Sequence, residues 1–282
     1  MGKIAVVGIC GKSVFMSVDH FHEDGETLVA DSTYEELGGK GFNQAIAAAR
    51  MGAEVSFLAA VGDDDAAKEC ETVLKNDNIK PFLIQKKSKK TPFAFILKDK
   101  NGENRVSEYK DAELDVDDVL KFEEEIKNAE ILLIQNEVPQ AINEKAVEIA
   151  AKNNVKVVLN PAPAGKISDD IASKIYLVTP NEHESKYCDF DKLSNYIITL
   201  GKRGCCINGE VEIPGINVKA VNTTGAGDTF NGVLVACLTE KMSIESACKY
   251  AVAASGISVS REYVVRAIPY RKEVEEFILN NI

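Results

Sequence analysis

The chain has 282 residues, 45% of them hydrophobic and 27% charged, with a formal net charge of −11 and a pI near 5.0. That balance argues against a nucleic-acid partner, which would call for a basic stripe; Lys86, Lys87, Lys89 and Lys90 make only a short cluster before Thr91 and Pro92, read as a solvated loop. No apolar run reaches the roughly 18 residues of a membrane helix, so no membrane role is expected. The chain enters Lys3-Ile-Ala-Val-Val7 without a signal-peptide pattern, and a cytoplasmic protein is expected. The seven cysteines are odd in number and contain no Cys-x-x-Cys pair, which reads as reduced core thiols.

The first element is a strand ending near Val7, followed by Val6-Val-Gly-Ile-Cys-Gly-Lys-Ser-Val-Phe15. The Gly-Lys-Ser suggests a phosphate-binding P-loop, but a P-loop has a glycine five positions before that Gly-Lys. Here that position is Val6, and the alternation after Ser13 is that of a strand rather than of the helix a P-loop opens. The stretch therefore reads as a turn between two strands. Strands over 14–21, 26–35, 92–98 and 105–109 then make a small second sheet, the last two joined by Asp99-Lys-Asn-Gly102. Helices over 43–51 and 65–76 interrupt it. From about Ala129 the pattern changes: apolar runs at 131–135, 155–159, 175–178 and 196–200 alternate with a helix over 141–153. Such runs indicate a parallel sheet buried on both faces. Ligands bind beyond the carboxyl ends of such strands, which puts Glu137, Asn160, Asn181 and Gly201 at the mouth of a site.

Four stretches carry chemistry. In Glu36-Leu-Gly-Gly-Lys-Gly-Phe-Asn-Gln-Ala45 glycines permit close approach of a substrate to the backbone, and Lys40 and Asn43 supply donors at a helix start. In Thr179-Pro-Asn-Glu-His-Glu184, Asn181 and Glu184 stand three apart and share a face on a helical turn. They suit Mg²⁺, which is bound through few carboxylates, waters and phosphates; solvated polarity at a helix start is the plainer reading. Ile198-Thr-Leu-Gly-Lys-Arg-Gly204 is a strand ending in a glycine turn, suited to nucleotide phosphate and ribose. In Asn222-Thr-Thr-Gly-Ala-Gly-Asp-Thr-Phe-Asn-Gly232, Gly225, Ala226 and Gly227 can aim successive N–H groups at one anion, helped by the dipole of the helix that begins at Asp228. Asp228 can take a proton from an attacking hydroxyl, or it can simply cap the helix.

These motifs, in this order, resemble the ribokinase-like, or PfkB, family of sugar kinases, and most closely its ribokinase branch. Gly38 to Ala45, Val61-Gly-Asp-Asp64, Asn160-Pro-Ala-Pro163, Thr179-Pro-Asn-Glu182, Ile198-Thr-Leu-Gly201 and Gly225-Ala-Gly-Asp-Thr-Phe-Asn-Gly232 carry the likeness, which spans the chain. It implies a three-layer α/β/α sandwich with a mostly parallel central sheet and a small β lid. The lid would come from about 14–36 and 92–110 of a single domain, 1–282, and would often build a homodimer. It implies ATP-dependent phosphorylation of a sugar hydroxymethyl group. Asp228 would be the base, and Gly225, Ala226 and Gly227 would stabilise the transferring phosphoryl group. Thr199, Gly201, Gly204 and Gly227 would line ATP, Asn181 and Glu184 would organise Mg²⁺, and Gly39, Lys40, Asn43, Glu137 and Ser13 would face the sugar.

Departures from the branch sharpen the expectation. An Asn and an Asp that clamp sugar hydroxyls in ribokinases fall here at Gly11 and Ser13, so an acceptor other than ribose is expected. Lys12 beside them could favour an anionic acceptor, although a solvent-facing lysine is the preferred reading. Asn222 replaces an Asp of the monovalent-cation site, and Tyr263 replaces a glycine of a later segment, which weakens the case for potassium. The stretch between Asn181 and Thr199 is short, pointing to a reduced helix there. His20 and His22, among Asp19, Glu23 and Asp24, read as a solvated lid edge rather than a metal site. The rivals are a nucleoside kinase, a non-catalytic sugar- or nucleotide-binding regulator, and a Rossmann-type oxidoreductase, the last disfavoured because no Gly-x-Gly-x-x-Gly follows the first strand.

Overall fold

The computed structural model describes residues 2–101 and 103–281. The chain opens with β1 (Lys3–Val7), β2 (Gly11–Ser17) and β3 (Ser32–Gly38), then α1 (Lys40–Arg50), β4 (Glu54–Val61), α2 (Asp65–Asn76) and β5 (Lys80–Gln85). Next come β6 (Phe93–Lys98), β7 (Asn104–Tyr109), α3 (Val116–Lys121), α4 (Glu123–Lys127), β8 (Ile131–Gln135), α5 (Gln140–Lys152), β9 (Lys156–Asn160), α6 (Asp169–Ala172) and β10 (Leu177–Val178). The last part holds β11 (Ile197–Thr199), β12 (Gly204–Ile207), β13 (Val211–Pro214), α7 (Ala226–Thr239), α8 (Ile244–Val259) and α9 (Arg271–Asn281).

Six strands form a parallel central sheet in the order β10-β9-β8-β1-β4-β5. Successive side chains point to opposite faces, so each apolar strand feeds two cores. Ile4, Val6, Phe57 and Ala59 pack with α1, α7 and α8, whereas Ala5, Val7, Leu58 and Ala60 pack with α4 and α5. Each fully buried large side chain of this kind contributes about 1.5–3 kcal/mol. The layers are therefore helix, sheet, helix, as the sequence pattern implies.

A second sheet, ordered β3-β2-β6-β7, stands over the carboxyl ends of the first. Its β2 and β6 run parallel; its other two pairs are antiparallel. Ser13, Phe15, Glu36, Ala94, Ile96, Val106 and Glu108 line the cleft beneath this lid, and Phe15 stacks on Tyr34 at 4.5 Å between ring centroids.

Several boundaries differ from the expected ones. β4 and β5 enlarge the parallel sheet in the part of the chain where the sequence pattern indicated only helices and lid. β2 begins at Gly11, so the turn after β1 is shorter than Gly-x-x-Gly-Lys-Ser suggests, and it ends at Ser17, leaving His20 and His22 off any strand. β3 starts only at Ser32. β11 pairs antiparallel with β12 and touches the central sheet only through isolated bridges, Val178 with Tyr196 and Asn181 with Thr199. The glycine turn at Gly201 folds the chain straight back, so the strand satisfies its ladder with its own hairpin. Gly102, the end of the β6–β7 turn, lies outside the described residues. Among the described residues no helix is long and apolar enough to cross a membrane, and all seven cysteines are free thiols, five of them buried.

Candidate active site

Two helices define the site. α1 starts behind Gly39, whose φ of 112° and close approach to Ile9 O (a Cβ would lie 2.4 Å away) admit only glycine without strain. α7 starts behind Gly225, at φ 76° in the left-handed region. The helices cross closely at Gly232, where a Cβ would lie 2.3 Å from Gln44 O. That approach brings Asp228, on the first turn of α7, against the first turn of α1.

Asp228 is buried. Its Oδ2 accepts from Asn43 Nδ2 at 2.9 Å and its Oδ1 from Gln44 Nε2 at 3.1 Å. It does not cap the helix, since Gly225 occupies the cap position and no side chain bonds there. Burial raises the Asp228 carboxyl above the ordinary range, against the opposing pull of the Lys40 charge and of its two amide donors. Lys40 is itself held up, chiefly by the Asp228 charge. Lys40 N donates to Glu137 Oε2 at 2.7 Å. Glu137 is buried just after β8, and burial pushes its carboxyl up to about 7 although Lys40 opposes the shift.

A buried amide network supports this pair of helices. Gln44 Nε2 also reaches Asn160 Oδ1 at 3.0 Å, and Gln135 Nε2 donates to Gln44 Oε1 at 2.8 Å. Asn160 Nδ2 donates to Thr179 O at 3.0 Å, Thr179 Oγ1 to Asn231 Oδ1 at 2.5 Å, and Asn231 Nδ2 to Gly227 O at 2.8 Å. The ends of β8, β9 and β10 thus fix the start of α7. Of this network only Asn160 is anticipated from strand order; Gln44, Gln135, Thr179 and Asn231 are not. Their signal in the sequence is a polar amide or hydroxyl at the end of an apolar strand or inside an apolar helix face.

Two clefts meet at α7. Gly39, Lys40, Asn43, Glu137, Ser13, Gly225 and Asp228, seven residues picked out from the sequence, line the cleft under the lid. Thr199, Gly201, Gly204, Ala226 and Gly227 line a second, more apolar cleft with Ile216, Phe230 and Val252. Consecutive residues at the start of α7 therefore face alternate clefts: Thr224 and Gly225 one side, Ala226 and Gly227 the other, Asp228 the first again. Lys12 also lines the cleft under the lid, but its charged end is held by the chain's own carboxylates. Its Nζ pairs with Glu35 and Glu69, each at 3.1 Å.

Asn181 and Glu184 adjoin Thr199, and they bond each other: Asn181 Nδ2 to Glu184 Oε1 at 2.9 Å. Asn181 Oδ1 accepts from the backbone N–H of both His183 and Glu184, each at 2.8 Å, which fully occupies it. Glu184 Oε2 accepts from Asn181 N at 2.9 Å, so both oxygens of this buried carboxylate are partnered by neutral donors, and neither residue lines the two clefts. A carboxylate without a cationic partner fits the chemistry of a magnesium site, with Asn181 orienting it. Between them and β11 lie only two short 3₁₀ turns, Glu184–Tyr187 and Phe190–Lys192, matching the expected reduction of a helix. Asn222 Oδ1 accepts from Thr224 N at 3.1 Å and its Nδ2 donates to Tyr263 O at 3.4 Å. Exposed His20 bonds Asp19 and Glu26. The Val61-Gly-Asp-Asp64 motif serves structure, Asp64 capping α2 through Ala67 N and holding Thr91.

A buried carboxylate on the first turn of a helix, at the junction of two clefts, suits a phosphotransferase with an alcohol group as acceptor; of the amides beside it, Ala226 N donates to Thr223 O at 3.4 Å. The chain belongs to the pfkB family of carbohydrate kinases, whose model matches residues 1–271. It is 36% identical to the ribokinase of Haemophilus influenzae over 98% of this chain and 98% of that one. It is 31% identical to the ribokinase of Bacillus subtilis, with 99% and 100% covered. Among solved structures, the ribokinase of Thermotoga maritima superposes with a TM-score of 0.90 at 32% identity, covering 99% of this chain and 100% of that one. The protein is thus a kinase of the sugar and nucleoside class, and the family resemblance read from its motifs holds.

Proposed function

We propose that the protein transfers the γ-phosphoryl group of ATP to a hydroxymethyl group of a neutral sugar or sugar-like molecule other than ribose. The observation that carries the reading is the alternation at the start of α7, which puts Asp228 on the acceptor side and Ala226 and Gly227 on the donor side of one junction. Asp228 accepts the hydroxyl proton as the oxygen attacks the γ-phosphorus in line and ADP leaves. Its raised carboxyl makes it a stronger base than an exposed aspartate. The amides of Gly225, Ala226 and Gly227 hold the developing charge, and Lys40 balances the carboxylates around the acceptor. Magnesium held by Glu184, with Asn181 orienting it, would neutralise charge on the ATP phosphates. Residues 1–282 act here as one catalytic unit, β2, β3, β6 and β7 serving as its lid.

The acceptor preference rests on charge and space. Glu36, Glu108, Glu137 and Asp228 line the cleft, against Lys40, Lys110 and Lys12, the last of which is paired with Glu35 and Glu69. A neutral acceptor suits that balance better than a sugar phosphate. Buried Asn43 Oδ1 has no protein partner and offers an acceptor to a substrate hydroxyl. A side chain at Gly11 would start 1.9 Å from Pro92 O, so this backbone admits no asparagine clamp there. Ser13 keeps only a neutral hydroxyl; an acidic clamp would have supplied bonds of about 1.5–3 kcal/mol each. Turnover is expected to be insensitive to potassium, since Asn222 meets Tyr263 O with an N–H. Phe95, exposed on the lid strand β6 and outside the cleft lining, supports a homodimer through that sheet, which light scattering checks.

The test is ADP release with ATP and magnesium across pentoses, 2-deoxyribose, hexoses, nucleosides and sugar phosphates, with and without potassium. Fast turnover of a neutral sugar other than ribose is expected. Ribose as the best acceptor would refute the preference; silence across the panel with ATP bound would favour a binding protein.

A further inference from the structure

The lid strand β3 reaches the anion hole by a route the sequence motifs do not announce. Glu36 lies on the cleft side of β3, and its two carboxylate oxygens accept from successive amides, Val264 N and Val265 N, each at 2.8 Å. Those amides belong to the loop between α8 and α9. Val264 is buried and packs directly on the left-handed glycine of the anion hole: a Cβ on Gly225 would lie 2.4 Å from Val264 Cγ1. One residue earlier, Tyr263 O receives Asn222 Nδ2, and the Tyr263 ring meets Tyr34 of β3 edge-on at 5.4 Å. On the far side, Arg50 Nη1 donates to Val265 O at 2.7 Å and to Ile268 O at 2.8 Å. The 263–265 segment is therefore clamped between the lid and α1, and the loop from Asn222 to Gly225 rests on it.

We propose that Glu36 is a positioning residue that couples the seating of the lid to the aim of the Gly225, Ala226 and Gly227 amides, acting through Val264. A carboxylate suits the task because it accepts two parallel N–H bonds at once, each charge-assisted. A glutamine of the same length accepts one and turns an N–H₂ group toward the other donor. A lid strand that shifts on sugar binding moves Glu36, and with it the floor under Gly225. The phosphoryl-holding geometry is then complete only with the lid in place, which restrains idle transfer to water.

The proposal rests on the kinase reading, so its test carries a readout free of activity. Glu36→Gln and Val264→Ala are compared with the unaltered protein, using ATP and the best acceptor of the panel. Both variants are expected to lose about ten- to hundred-fold in kcat, the scale of a small misplacement at a reacting centre, with KM for the acceptor and affinity for ADP nearly unchanged. Hydrogen exchange of peptides covering 222–227 and 260–268 should speed up in Glu36→Gln while α5 is unaffected. A rise in acceptor KM with kcat retained would make Glu36 a sugar ligand and overturn the proposal. So would faster exchange confined to 260–268. Should the kinase reading fail, the exchange pattern still decides the coupling; should Glu36→Gln not fold, Val264→Ala carries both measurements, with faster exchange at 222–227 expected and an unchanged pattern refuting it.

Discussion

α1 and α7 enter the same junction from glycine-led loops, and they use their amide ends in opposite ways. Each starts behind a glycine at positive φ, Gly39 at 112° and Gly225 at 76°, and neither has a side-chain cap on that residue. At α1 the first amide, Lys40 N, is taken by the chain's own carboxylate, Glu137, at 2.7 Å. At α7 the corresponding end faces the cleft, with no carboxylate from elsewhere in the chain bonded to it among the described residues. Helix starts carry partial positive charge and attract anions. α1 has satisfied that attraction with a distant carboxylate and becomes a fixed wall of the cleft under the lid; α7 has only the weak bond of Ala226 N to Thr223 O at 3.4 Å, and in the reaction we propose its end receives the phosphoryl group. A glycine followed by a helix does not by itself declare an anion site. What decides is whether a distant carboxylate fills it, and Glu137 is 97 positions from Lys40.

The comparison is broken most severely at Asp228. Asp228→Asn removes the proposed base but keeps its size, so kcat is expected to fall by about 10²–10⁴-fold, the usual contribution of a positioned general base. Binding of fluorescent ADP should be unchanged. Near-normal turnover would reassign the base. The next test separates the two glycine rows. Gly227→Ala places a methyl in open space, so the melting temperature should hold while kcat/KM for ATP drops roughly ten- to hundred-fold by crowding the phosphoryl group. Gly39→Ala places a methyl 2.4 Å from Ile9 O at a positive φ, so strain alone costs about 1–2 kcal/mol and the melting temperature should fall first. Equal losses of stability in the two variants would deny the distinction between wall and receptor.

Much of this junction was legible in the sequence, and the reason is local. Gly225, Ala226, Gly227 and Asp228 sit on one turn, and Gly39, Lys40 and Asn43 on another, so each motif reports its own geometry. That seven such residues line one cleft follows from a parallel sheet, whose strand ends gather at one edge. The polar network was not legible, because Gln44 to Asn160 and Thr179 to Asn231 join residues 116 and 52 positions apart. Glu36 reads as one more strand glutamate until its partners 228 and 229 positions away are seen. β4 and β5 were missed because their neighbours in sequence belong to helices and lid, whereas in space β4 pairs with β1 and β5 with β4. The strand at 196–200 was placed in the wrong sheet, since a short apolar run does not say whether its partner is parallel or a hairpin.

A gentler change tests the internal anion at α1. The folded value of Glu137, about 7, lies above its ordinary 4.5, so between these values the folded protein holds a proton that the unfolded chain has released. The stability this group contributes is complete below pH 4.5 and is lost as pH rises through 7, up to about 3 kcal/mol in all. Glu137→Gln cannot titrate. Denaturation at pH 5 and pH 8 should therefore show the unaltered protein losing stability relative to this variant at the higher pH; a constant difference would mean that Lys40 and the α1 amide already offset the burial.

The smallest effect belongs to Lys12, read from the sequence as a solvent-facing lysine and found on the cleft lining with its charge paired to two glutamates. Its side chain is 26% exposed, and its partners Glu35 and Glu69 are 58% and 48% exposed. Exposed pairs of this kind contribute about 0–1 kcal/mol. Lys12→Met keeps the stem and removes the charge. It should leave kcat and the acceptor KM nearly unaltered and shift stability by less than about 1 kcal/mol. The informative measurement is the ranking of acceptors rather than the rate. If the charge of Lys12 reached the cleft, its removal would selectively weaken an anionic acceptor. With the charge tied to Glu35 and Glu69, neutral and anionic acceptors should keep their order, and discrimination is left to Ser13, Asn43 and the carboxylates around Lys40.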